Sequence, residues 1–340
     1  MRNLVIQLHR SEYHDFVDYL SGIRFERIVL NVPAMRFKTA LQLMRLYFSG
    51  ARRLLKHLGT LREAGTLVVF SHFAFVVKLF ARLGLVRYDR LFCFGFFLHD
   101  PLWFPLCRLL VWLDRPHDHY VIFSEAEKDL YATQLGIARE RMHFVPLGDW
   151  AEGRLRTRKN ASAMKGDFYF AGGRSNRDYV PLVEAFRTIS ANLVIVCSDS
   201  NWDELKDVSL PENVRVLCDV PVAAFDDYVR GAKAGIIPLK RDMGSSGQSV
   251  ALALMRNAKC VISTDAAGLR EYVEHGVSGF LVGDVGREIA PLIEFLEANE
   301  GRAEAMGSAA RERYEKHFSL TIAAEAFEHV LAEIHLETAA

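Results

Sequence analysis

Two glycine-bearing stretches of the sequence carry the residue types needed to hold a phosphate. The first is Phe170-Ala171-Gly172-Gly173-Arg174-Ser175-Asn176-Arg177-Asp178. It follows an apolar run, and a helical pattern starts at Asn176 or soon after. Glycine lets the backbone approach a ligand, a helix start supplies unpaired N–H groups, and a guanidinium such as Arg174 presents a two-pronged donor that matches phosphate. The same residues suit a tight strand–helix turn with Asn176 as N-cap, and taken alone the turn explains them. The second stretch is Pro238-Leu239-Lys240-Arg241-Asp242-Met243-Gly244-Ser245-Ser246-Gly247-Gln248-Ser249. Here two cations precede a long run of small and polar residues, with a helix opening near Gln248. Turn chemistry does not call for so long a run, so an anion cradle in which hydroxyls, N–H groups and Lys240 converge accounts for it better.

His99 is the best candidate for proton transfer. It follows the buried-looking strand LFCFGFFL, whose end aims whatever comes next away from the core. A neutral imidazole there can accept a proton from a hydroxyl or hydrogen-bond a substrate; the other account is Asp100-Pro101 as a helix N-cap with His99 merely packed. His72, after Val69-Phe70-Ser71, follows the same logic. His117-Asp118-His119 lacks the i, i+4 spacing of a helical zinc site and has no evident third ligand, so it is expected at the surface or behind the groups that meet a ligand, and no metal site is expected. The chain has no GxxxxGK[ST], which excludes a P-loop NTPase, and its first strand runs into Gln7-Leu8-His9-Arg10-Ser11 rather than GxGxxG, which argues against a classical NAD enzyme.

The elements that must position these residues are legible as alternation. Short β-branched or aromatic runs recur at 4–8, 27–32, 66–70, 91–97, 120–123 and 142–145, most of them separated by helical-period segments. The pattern lapses in the polar, basic stretch 151–166, which reads as a linker. It resumes with runs at 167–171, 193–197, 214–217, 235–238, 260–263 and 279–282, followed by helical segments at 286–299, 301–317 and from Leu320. Alternation of this kind makes parallel sheets from βαβ units. The expectation is an α/β protein of two doubly wound, Rossmann-like domains facing a cleft: 1–150, then 167–317, with 318–340 a final helix packing back on the first. Ligands of such sheets lie at the carboxyl ends of the strands.

Composition sets the outer limits. With 340 residues, 50% hydrophobic and 25% charged, the chain is neither disordered nor low-complexity. Basic and acidic side chains are balanced at 42 each, so overall charge gives no argument for nucleic acid. Residues 1–150 nevertheless carry a formal charge of +6, and the remainder −6. The excess concentrates in 36–62, with seven basic and no acidic side chains. A run of that composition suits an anionic membrane surface or a lipid pyrophosphate, and equally a solvated helix face. Five scattered cysteines without a CxxC pair point to a reduced, cytoplasmic protein. No signal-peptide core follows Met1, and the most apolar stretch, 91–113, is broken by charges and prolines, so a soluble chain is expected.

Taken together, FYFAGGRSNRDYVPLVEAF, LVIVCSDSN, AGIIPL and GSSGQSVALALMRNAKCVISTDAAGLREYVEHGVSGFLV resemble the C-terminal, donor-binding domain of GT-B glycosyltransferases, most closely glycosyltransferase family 4. The resemblance runs from about Phe168 to His317 and is most specific from Gly247 to Val282. Residues 120–147 resemble, more weakly, the last strand–helix–strand of the N-terminal domain in that superfamily. The resemblance implies an NDP-sugar donor, a glycan or lipid-linked acceptor, and a metal-independent, retaining transfer in bacterial polysaccharide or glycoconjugate assembly. It places His99, Arg174 and Lys240 at the reacting centre. It places Gly172, Gly173, Arg177, Ser198, Val220, Ser245, Ser246, Gly247, Gln248 and Ser249 around the nucleotide-sugar, with Asp199 and Pro221 beside the base and Glu271 at a common family glutamate. No cofactor is implied. The family's two glutamates, seven residues apart, correspond here to Ser245 and Ala253, and its phosphate-binding lysine is missing after Arg174, leaving Arg177 or Lys240 to supply the second cation. Loss of both carboxylates raises the alternative of a non-catalytic binding or scaffold homologue.

Overall fold

The computed structural model describes residues 2–8, 12–32, 40–70, 73–95, 104–149, 151–155, 166–240, 244–299 and 301–337. Contacts divide the chain into two units, Met1–Pro146 with Ala323–Ala340, and Leu147–Ile322. His72, His99 and Asp100 lie outside the described residues, as do 156–165 of the segment read as a linker.

The first unit holds β1 (Arg2–Gln7), β2 (Glu26–Val29), β3 (Ala64–Phe70), β4 (Arg90–Phe94), β5 (Asp118–Ile122) and β6 (Met142–Phe144). They form a parallel sheet of order β2-β1-β3-β4-β5-β6. Its helices are α1 (Ala40–Leu54), α2 (Leu58–Leu61), α3 (Ala74–Arg82), α4 (Phe104–Trp112) and α5 (Ala126–Leu135). The apolar run of β4 is uninterrupted because both of its faces are covered, as parallel sheets require. Leu91 and Cys93 belong to the core shared with the helices. Phe92 and Phe94 point the other way, onto Phe327 at 5.5 Å between ring centroids. That ring sits on the last helix of the chain, numbered α13 below.

The second unit opens with α6 (Glu152–Leu155) and then repeats the architecture. Its strands are β7 (Phe168–Gly172), β8 (Asn192–Cys197), β9 (Val214–Cys218), β10 (Ala234–Ile237), β11 (Cys260–Thr264) and β12 (Gly279–Val282). All pairs are parallel, in the order β12-β11-β10-β7-β8-β9. The helices are α7 (Tyr179–Ala185), α8 (Asp199–Leu205), α9 (Val222–Gly231), α10 (Gln248–Arg256), α11 (Val285–Ala298) and α12 (Arg302–His317). α7 packs with α8 and α11, and α10 with α9 and α12. The strand order reverses between β7 and β10, and doubly wound sheets open a crevice at that point, at the carboxyl ends of the strands. α13 (Leu320–Glu337) then leaves the second unit, and its residues from Ala323 onward belong to the first. The two doubly wound sheets agree with the alternation in the sequence.

Candidate functional site

The carboxyl ends of β7 and β10 are the neighbouring strand ends at the reversal of the second sheet, and each carries one of the two small-residue loops. The segments leaving these strands are bonded to each other. Arg177 and Leu239 form an antiparallel bridge. The Asp178 N–H donates to Pro238 O at 3.0 Å and the Lys240 N–H to Asn176 O at 3.3 Å. This splice explains why α7 begins at Tyr179, three residues after the expected Asn176. Asn176 takes a left-handed φ of +55° within the splice and is no N-cap. The first loop therefore offers glycines and side chains to a ligand, and no helix start.

Arg174 and Arg177, alike in sequence, have opposite placements. The Arg174 side chain is 69% exposed, and its closest carboxylate is Asp219, at 3.6 Å. Arg177 is buried: its Nε donates to Gly172 O at 3.0 Å and a terminal nitrogen to Ser175 O at 2.6 Å. Burial lowers its pKa, and the guanidinium is held by the carbonyls it binds. Gly173 sits directly over it at φ +128°, where a Cβ would lie 2.4 Å from Arg177 Nε. The Tyr179 hydroxyl donates to Gly173 O at 2.9 Å from the same side. Arg177 is thus the buttress of the glycine turn, and the expectation that its guanidinium faces a nucleotide is corrected.

Lys240 also has a neighbouring partner. Its Nζ lies 2.7 Å from both carboxylate oxygens of Glu204 on α8. It lines a cavity of about 750 Å³ whose other charged residues are Asp178, Glu184, Asp265, Asp284 and Arg287. Four carboxylates against two cations make that cavity acidic. Burial raises the Asp178 carboxyl pKa there, opposed by Lys240 and reinforced by Glu204 and Asp284. A diphosphate would be repelled from this space. In this arrangement Lys240 is paired with Glu204.

The second loop is described from Gly244 onward and is packed tightly. Gly247 caps α10 at φ +94°, and a Cβ there would come within 3.0 Å of Leu269 and 3.1 Å of Ile237. A Cβ at Gly268 would lie 2.0 Å from Gly244 O, so the loop rests on the 267–269 turn. Gln248 is buried and its amide donates to Gly268 O at 3.0 Å, which makes it part of that support and not a sugar contact. Ser245 and Ser246 are buried, and the Ser245 hydroxyl finds no hydrogen-bond partner among the described residues. Ser249 is exposed on the first turn of α10. The leading N–H groups of a helix have no intrahelical partners, so the start of α10 and the Ser245 hydroxyl together offer donors to an anion. Ala253 is buried within α10.

The ends of β8 and β9 extend this edge. Ser198 Oγ lies 3.3 Å from Arg174 O, tying the β8 end to the glycine turn. Val220 is half-buried after Asp219, itself at φ +48°. Cys197 and Cys218 face each other in direct register with their sulfurs 3.7 Å apart. Burial pushes the Cys197 thiol up to about 12, whereas Cys218 is exposed. Sequence reasoning missed Asp219 and Glu204, the carboxylates facing Arg174 and Lys240. Neither has a motif; each meets its partner only through strand order. Among the described residues no group of three or more His, Cys, Asp or Glu is arranged to hold a metal ion. No helix there is long and apolar enough to cross a membrane.

In the first unit, the His117–His119 segment is not uniformly at the surface. Asp118 is buried beside Lys78, with Nζ to Oδ2 at 3.6 Å, and Lys78 also reaches Asp114 Oδ1 at 2.5 Å and the Tyr120 hydroxyl at 3.1 Å. Arg141 closes this network on Asp114 at 2.7 Å. His119 Nδ1 lies 3.0 Å from His143 Nε2, and its ring stacks on Phe92.

Comparison with known proteins agrees with this fold. Residues 165–298 match the family model described as Glycosyl transferases group 1. The solved structure of HepE from Anabaena in complex with UDP and glucose superposes with a TM-score of 0.70, at 16% identity, covering 98% of this chain and 100% of that one. A sucrose-phosphate synthase from Thermosynechococcus elongatus gives 0.75 at 13% identity, over 99% and 100% of the two chains. A glycosyltransferase from Rickettsia africae gives 0.64 at 11%, covering 98% of each. No curated protein matches the sequence. The family match thus falls within the second unit, and the chain as a whole has the two-unit GT-B fold of these structures.

Proposed function

We propose that the chain is a glycosyltransferase whose second unit binds an NDP-sugar and delivers the sugar to a glycan or lipid-linked acceptor. The observation that carries this is the pairing at the sheet reversal. The Gly172–Arg174 turn, held over Arg177, and the Gly244–Ser249 loop, with its orphaned Ser245 hydroxyl and the start of α10, follow neighbouring paired strands. Breaking an anomeric C–O bond places negative charge on the leaving diphosphate. Arg174, the N–H groups opening α10 and the Ser245 hydroxyl are the donors that meet it, and a pre-oriented donor of this kind contributes ~3–4 kcal/mol to such a step. The base is assigned to the β8 and β9 ends, near Ser198 and Val220. UDP is the favoured nucleotide, on the strength of the UDP and UDP-glucose complexes of HepE.

Cationic and N–H donors do the work a divalent ion does elsewhere, so the transfer is proposed as metal-independent, and as retaining by family likeness. His99 keeps its proposed part in positioning or deprotonating the acceptor. The setting proposed is bacterial polysaccharide or glycoconjugate assembly at the cytoplasmic face of a membrane, approached through the basic segment 36–62. The second reading, a non-catalytic homologue, is favoured by Ser245 and Ala253 standing where the family has carboxylates and by the Lys240–Glu204 pair.

Thermal-shift titration with UDP, GDP, ADP, dTDP and CMP, with Mg²⁺ and with EDTA, tests the donor assignment. A ligand at a hundred times its Kd stabilises the native state by ~2.7 kcal/mol, enough for a visible shift. The expected result is a shift with UDP that EDTA leaves intact. No shift with any nucleotide would overturn the transfer reading. UDP binding without turnover of UDP-glucose across an acceptor panel would favour the non-catalytic homologue.

A further inference from the structure

The first unit contains a cavity rich in basic side chains, built from its own residues. A cavity of about 550 Å³ opens at the carboxyl end of β2, walled by that strand end and by the C-terminal part of α1 with the turn that follows. Its polar lining is Asn31, Ser49, Arg52, Arg53, Lys56 and His57, with no carboxylate among the described lining residues. Three permanent cations and an imidazole therefore face one space. Arg52 and Lys56, four residues apart, repel each other along the helix, which an anion between them would reverse.

Arg53 differs from its neighbours in having partners. Its guanidinium donates to the carbonyls of Leu30 and Asn31, and so pins the β2 end against α1. Asn31 holds a left-handed φ of +51° at that point. The arrangement fixes the wall of the cavity with one arginine and leaves exposed Arg52 and Lys56 to reach into it. Ser49 supplies a hydroxyl from the preceding turn. A phosphate needs this combination of forked and point-charge donors with a hydroxyl. A simple carboxylate would use fewer of them.

We propose that this cavity binds a phosphate or diphosphate group. The site stands on residues of the first unit alone and goes beyond the transfer reading. Phosphate of this kind comes from a soluble phosphorylated molecule or from a lipid headgroup. The flank of α1 bears on the second source, since Met44 is 67% and Phe48 75% exposed on the same helix.

Calorimetric titration of the whole chain with inorganic pyrophosphate tests the proposal, in the wild type, in Arg52→Ala/Lys56→Ala and in Arg174→Ala. The expected result is binding that weakens at least tenfold in the double variant and persists in Arg174→Ala. Both replaced residues are exposed, and an unchanged UDP titration and melting curve in the double variant would show that the fold is intact. Lys56→Glu serves as a second variant and should weaken pyrophosphate binding at least tenfold. No pyrophosphate binding by the wild type, equal affinity in the double variant, or loss in Arg174→Ala alone would overturn the site. Failure of UDP to bind would bear only on the second unit. Co-sedimentation with phosphatidylglycerol vesicles, against phosphatidylcholine, identifies the source. Retention of the wild type but not the double variant assigns the site to lipid phosphate. Pyrophosphate binding without vesicle retention assigns it to a soluble ligand.

Discussion

Two arginines three residues apart show what a residue does once its surroundings are known. Arg174 is exposed and available, so Arg174→Ala should weaken UDP binding by about tenfold or more, at least ~1.5 kcal/mol for a charge-assisted hydrogen bond, with the melting temperature unchanged. Arg177 is buried on two carbonyls beneath Gly173, so Arg177→Ala should cost stability, on the order of 2–4 kcal/mol for emptying a hydrogen-bonded buried position. Arg177→Lys should not restore it, because an ammonium cannot span both carbonyls as a planar fork does. Calorimetric unfolding and UDP titration of the three variants check the pair. Equal effects of Arg174→Ala and Arg177→Ala on both measurements would refute the division of labour. The sequence showed that an arginine follows the glycines. Which of the two faces out depends on the bridge from Arg177 to Leu239, a contact 62 positions apart that no local pattern encodes.

At the scale of the element, β5 and β6 carry a pair of histidines that the fold keeps neutral. Burial lowers His119 to about 3, assisted by His143, Arg141, His117 and Arg90. Burial likewise lowers His143 to about 4, assisted by Lys128 and opposed by Glu333 of α13. In the unfolded chain both return to the ordinary value near 6.5. Between about pH 6.5 and pH 4 the unfolded state therefore binds protons that the native state refuses, and stability falls as pH falls through that window. The carboxylate of Asp226 acts in a lower window. Burial opposes its ionisation, but Arg256, Asn257 and Arg230 hold it below the usual range, so its contribution is lost only as pH drops through and below about 4. Thermal melts from pH 7 to pH 4.5 should accordingly show a decline that the His119→Leu/His143→Leu variant lacks in large part. A parallel decline in both proteins would place the titration elsewhere. The strands themselves were legible from β-branched and aromatic runs, whereas the histidine contact was not, since His119 and His143 are brought together only by parallel pairing across α5.

At the scale of the whole molecule, the alternation of strand and helix specified both sheets, because each βαβ unit is right-handed and covers its neighbours. The return of α13 to the first unit was expected from the sequence, which nevertheless gives its apolar residues no partner to name. The structure supplies one. Phe327 packs on Phe16, Phe92 and Phe94, and Glu328 accepts hydrogen bonds from Ser21 and the Gly22 N–H at the far end of the sequence. The first unit is thus completed by residues that follow the second in sequence, while every residue proposed to meet the nucleotide lies within Leu147–Ile322. Phe327→Ala should destabilise the first unit by about 3–5 kcal/mol, the usual range for emptying a buried phenylalanine. Truncation after Ile322 should go further. Hydrogen exchange would then rise across β4 and β5 and stay low across β8 and β10, and UDP would still bind. Loss of protection in β8 and β10 together with β4 would mean that the two units fold as one cooperative block, and that the nucleotide site depends on the first unit for its stability.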